Sequence, residues 1–75
     1  MGWKTHLVVY FSGREKISEI VKRIESLGFK CALGPVDFIY EWNSAPTKQQ
    51  VLKLADNLCS VLRDSGAVFN IDTHN

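Results

Sequence analysis

The stretch GPVDFIYEW, residues 34–42, opens with a turn dipeptide and then alternates. Val36, Phe38, Tyr40 and Trp42 fall on one parity, and Asp37, Ile39 and Glu41 on the other. A period of two is that of a strand whose faces meet different surroundings. The aromatic set needs no role beyond packing, because alternate aromatics on a buried strand face are ordinary core. The second set then lies on the face turned away, where a working surface would be.

Outward from this strand, the chain predicts five more elements. THLVVYF (5–11) is β-branched and aromatic, as strands are. Ser12 and Glu15 form a capping box that would start a helix. Ile17, Ile20, Val21, Ile24 and Leu27 follow at helical spacing, and Gly28 stands where a C-cap glycine belongs. FKCAL (29–33) predicts a second strand, joined to VDFIYEW by Gly34-Pro35. Thr47 and Gln50 make a second capping box. Val51, Leu54, Ala55, Leu58, Val61 and Leu62 form the apolar stripe of a second helix, closed by Gly66. AVFNID (67–72) is the last strand, followed by a polar tail.

The order β-α-β-β-α-β predicts an α+β fold, the ferredoxin-like sandwich, as one domain over residues 1–75. Its four-stranded antiparallel sheet would run 4-1-3-2, with two helices on one face. By parity, Leu7, Val9, Phe11, Phe29, Cys31, Leu33, Ala67, Phe69 and Ile71 join the aromatic set beneath the helices. The open face carries His6, Val8, Tyr10, Lys30, Ala32, Asp37, Ile39, Glu41, Val68, Asn70 and Asp72. Val8, Tyr10, Ile39 and Val68 would make its apolar centre, and contiguous apolar surface marks a partner or ligand site.

Composition narrows the function. The 75 residues carry a formal charge of +1 and are 45% hydrophobic, which suits one small folded domain rather than a phosphate-gripping protein. An RNA-reading sheet of this topology stacks bases on aromatics of strands one and three; Tyr10 fits, Ile39 does not, and Asp37, Glu41 and Asp72 would repel phosphates. No apolar run reaches membrane-spanning length. No signal peptide is visible, and His6 breaks the myristoylation pattern, so the expected location is cytoplasmic. Cys31 and Cys59 make neither a disulfide framework nor a zinc knuckle; both are expected to be buried, inert thiols.

Catalysis finds little support. Asp37 and Glu41 would stand roughly 13 Å apart at strand rise, too far for a carboxylate pair, and no nucleophile–base set can be assembled. If Val9 lies opposite Phe69, His6 lies opposite Asp72 with His74 diagonal; these three are the only metal candidates, for a metal-dependent hydrolase, although surface histidines at such spacing are ordinarily just exposed. No cofactor is expected.

LGFKCALGPVDFIYEW, followed later by DSGAVFNID, resembles the thiamine-binding, YkoF-like family of small ferredoxin-fold proteins. The shared features are a helix end, a glycine, a strand, a Gly-Pro turn, a strand with Glu near its end, and a last strand ending in Ile-Asp. Gly34, Pro35, Glu41, Ile71 and Asp72 carry it. The resemblance implies self-association through sheet surfaces and non-catalytic binding of thiamine or its aminopyrimidine part. It moves Glu41 into the ligand role. Tyr10, Ile39 and Asp37 complete the expected binding face from the reading of the strands. Phe38 and Trp42 depart from the Thr and Gly usual in that family, and a bulky Trp42 would close the pocket. The alternative expectation is a self-associating interaction module with no small ligand.

Overall fold

The computed structural model describes residues 2–13, 16–32, 34, 36–63 and 65–75. It is an α+β chain in the order β1 (Trp3–Tyr10), α1 (Ile17–Ser26), β2 (Lys30–Cys31), β3 (Phe38–Trp42), α2 (Lys48–Leu62) and β4 (Val68–His74). The four strands form one antiparallel sheet in the order β2-β3-β1-β4, which is the expected order counted from the other edge.

The parity expectation holds along β1, β3 and β4. Leu7 faces Phe38 across β1 and β3 and Ile71 across β1 and β4, while Val9 faces Phe69. Leu7, Val9 and Phe38 are buried with Ile20 and Ile24 of α1, Leu54, Leu58 and Leu62 of α2, and Phe29. Both helices therefore cover the face carrying these three strand residues. Phe11, Tyr40, Trp42, Ala67, Phe69 and Ile71 pack against the cluster from its margin. Thr5 is the one buried polar residue among those described. Its Oγ1 accepts from Trp42 Nε1 at 2.9 Å and lies 2.6 Å from Thr73 Oγ1. A Thr5→Val variant keeps the shape and strands both partners. It should lose about 1–3 kcal/mol in urea unfolding, since a buried donor without an acceptor bears its full desolvation cost; an unchanged midpoint would show that the indole finds another acceptor.

Several boundaries differ from expectation. The N-cap of α1 is Lys16, in extended backbone and without a side-chain cap, so Ser12 does not start this helix. Ser12 Oγ instead donates across to the Ser65 carbonyl at 3.5 Å. Glu15, Leu33 and Pro35 lie outside the described residues. The second capping box is present: Gln50 N donates to Thr47 Oγ1 (3.1 Å) and Thr47 N to Gln50 Oε1 (2.9 Å).

β2 pairs over two residues rather than five. The turn out of α1 delivers Phe29 into the core, and after Cys31 the Ala32 N–H already bonds the Asp37 carbonyl (3.0 Å). β3 begins at Phe38 rather than Val36 because Asp37 Oδ2 accepts the Val9 N–H at 2.9 Å, standing where a strand carbonyl would. At the other end β4 runs on to His74, which pairs with Lys4; the expected polar tail is thus the end of a strand. β1 starts earlier to match it.

Both cysteines are exposed, against the expectation of burial. Cys31 does share the helix side with Phe38, but it sits on the two-residue strand at the sheet margin. Cys59 follows buried Leu58 by one residue, a turn of about 100° round the helix, which takes it off the apolar stripe.

Candidate functional site

The bare face of the sheet is built by the even residues of β1 and their partners. Lys4 faces Glu41 on one side and His74 on the other; His6 lies between Ile39 and Asp72; Lys30 faces Ile39; Val8 faces Asn70 and Tyr10 faces Val68. Glu41, Ile39 and Tyr10 share this side. Trp42 belongs to the other: it faces Trp3, and its indole is bonded to buried Thr5. A bulky residue at position 42 therefore does not cover the face that holds Glu41.

A depression of about 300 Å³ opens on this face, lined by Lys4, Lys30, Cys31, Ala32, Ile39 and Glu41. Ile39 and Ala32 supply its half-buried apolar surface. Glu41 stands at the rim with Lys30 Nζ 3.9 Å from its Oε1, both side chains well exposed. An exposed pair at that separation is worth little and is easily exchanged for a ligand contact. Cys31 Sγ donates to Glu25 Oε2 at 3.4 Å. That bond, then desolvation, then the carboxylate's charge hold the thiol above its ordinary value, which disfavours the nucleophilic thiolate.

The four expected binding residues do not converge. Ile39 and Glu41 meet in the depression. Tyr10 lies six positions along β1 from Lys4, the partner of Glu41, roughly 20 Å away at strand rise. A ring held by Glu41 cannot also stack on Tyr10. Asp37 spends one carboxylate oxygen on the Val9 N–H and lies just before β3. Tyr10 and Val68, 55% and 62% exposed, instead form an apolar patch of their own at the far end.

Lys4 was not foreseen, because the sequence signal for β1 begins at Thr5. Continuing the alternation two residues back from His6 would have put Lys4 on the same open face as Glu41.

At the other edge, His6 does lie opposite Asp72 as expected. The His6 and His74 rings meet edge-to-face, with Nδ1 of His6 3.3 Å from Nε2 of His74, and Asp72 Oδ2 is 3.8 Å from that Nε2. Such a bond requires one neutral imidazole as acceptor. Among the described residues no group of three or more His, Cys, Asp or Glu is arranged to hold a metal ion. Among them, too, no helix is long and apolar enough to cross a membrane.

Comparison with protein-family models, with curated proteins and with solved structures finds no match to this chain.

Proposed function

We propose that this chain is a small non-catalytic binding protein of the ferredoxin-like, thiamine-binding type, taking an aminopyrimidine heterocycle on the bare face of its sheet. The observation that carries this is the depression that Glu41 and Ile39 line together. A carboxylate beside apolar surface can accept two hydrogen bonds from an aminopyrimidine edge while the ring covers the isoleucine. Lys4 and Lys30 at the same rim would meet a phosphate or hydroxyl tail. Exposed thiols at positions 31 and 59 suit a reducing compartment, in keeping with a cytoplasmic role.

The test is calorimetric titration with thiamine and with hydroxymethylpyrimidine. Wild type should bind, and Glu41→Gln should bind about 10- to 100-fold more weakly, the worth of a charge-assisted hydrogen bond. No heat from either ligand at millimolar concentration would remove the proposal.

One observation favours the second reading, a self-associating module without a small ligand. Tyr10 and Val68 are exposed side by side, continuing Val8 on the same face. Self-association through this face predicts a dimer mass for wild type and a monomer for Ile39→Lys. A monomer in both ends that reading and leaves the ligand test untouched.

A further inference from the structure

We propose that the crevice between β3 and the N-terminal half of α2, on the helix side of the sheet, is a binding site for a neutral saccharide. Two adjoining cavities of about 300 and 210 Å³ share Tyr40, Trp42 and Gln50. Together they fall in the size range of small-ligand sites, about 300–1,000 Å³.

The crevice exists because β2 is short. Its pairing with β3 reaches only Ile39. Beside Tyr40–Trp42 the chain is still leaving α1 through Leu27 and Gly28, so no strand covers that edge. From above, α2 turns Gln50, Lys53 and Asn57 to the gap, three and four residues apart on one helical face.

The floor is rigid. The Trp42 indole is bonded to buried Thr5, and the Tyr40 ring is wedged against Phe29 and the bare Cα of Gly28. Tyr40 and Trp42 lie with centroids 4.7 Å apart and planes inclined by 57°. Inclined rings leave no parallel slot for sandwiching a flat heterocycle. They do offer apolar faces to the C–H groups of a puckered sugar ring.

The rim is polar and close to charge-balanced. Asn43, Ser44, Gln50 and Asn57 are amides and a hydroxyl, and among the described lining residues one Lys53 offsets one Glu41. Amides both donate and accept, as sugar hydroxyls do. The capping box ties up Gln50 Oε1 on the Thr47 N–H, which leaves its Nε2 hydrogens to donate.

The experiment uses the full chain with Trp3→Phe, so that Trp42 is the sole tryptophan. Titration with maltose and with cellobiose should give a saturable change in Trp42 fluorescence for at least one, with a dissociation constant on the order of millimolar. Asn57→Ala, at an exposed helical position, should weaken that binding about fivefold, the worth of one neutral hydrogen bond. Far-UV circular dichroism checks that the variant is folded, and Gln50→Ala serves as the second probe. The proposal is overturned by no saturable change up to ~100 mM of either sugar. It is equally overturned by undiminished affinity in both variants, or by thiamine, rather than a sugar, saturating the Trp42 signal.

Discussion

Leu58→Ala is expected to cost about 2–5 kcal/mol of stability. Leu58 is fully excluded from solvent in the middle of α2, and it packs in the cluster that joins both helices to Leu7, Val9 and Phe38. Truncation removes the transfer energy of the lost methyls and opens a cavity that a close-packed core fills only in part. A domain of this length has roughly 4–11 kcal/mol of total stability, so one such loss is a large share of it. Leu52 is the internal control. It stands on the same helix, is 53% exposed, and should change stability by no more than about 0.5 kcal/mol when replaced by alanine. Urea unfolding followed by circular dichroism reads both. Equal losses at the two positions would mean that α2 does not lie on the sheet by its Leu54–Leu58–Leu62 stripe.

Gly28→Ala should be the next most damaging change, at about 2–4 kcal/mol, and for two separable reasons. The backbone at Gly28 has φ +107°, a conformation that residues with a Cβ rarely adopt, at a cost of ~1–3 kcal/mol. The added methyl would also stand 2.9 Å from Tyr40 Cε2, closer than carbon atoms approach. Gly34 separates the two contributions. Its φ is +109°, but nothing lies within 4 Å of the position its Cβ would take. Gly34→Ala should therefore carry the backbone cost alone. The difference between the two variants measures the Gly28–Tyr40 contact. Near-UV circular dichroism should show the Tyr40–Trp42 pair disturbed in Gly28→Ala and unchanged in Gly34→Ala. Indistinguishable losses would mean that the ring moves aside freely, and the crevice floor would then lose its rigidity.

These two sites differ in how far the sequence foretold them. Leu58 is legible: it repeats with Leu54 and Leu62 at helical spacing, and periodicity maps directly onto burial. Gly28 is half legible. A glycine after an apolar helical stripe announces a left-handed cap, but nothing local says that an aromatic ring from β3 rests on it. The false expectations have the same source. Ser12 and Glu15 spell a capping box, yet Ser12 is engaged with the Ser65 carbonyl, in a turn 53 residues on. Cys31 has core parity, yet its strand stops at the sheet margin, where parity no longer implies burial.

The binding face divides in the same way. That Glu41, Ile39 and Tyr10 share a side follows from alternation alone. That Ile39 and Glu41 meet in one depression while Tyr10 stands roughly 20 Å off depends on register, which pairs Lys4 with Glu41 and Tyr10 with Val68.

Local patterns in this chain were enough to determine element types and most of the apolar core, because periods of 2 and 3.6 are properties of neighbouring residues. Tertiary structure decided the lengths of the strands, and with them both cavities. β2 is cut to two residues by its surroundings: the core draws in Phe29 on one side, and on the other the Ala32 N–H already bonds the Asp37 carbonyl. Hydrogen bonds and burial that span dozens of residues are settled only when the whole sheet and both helices are in place.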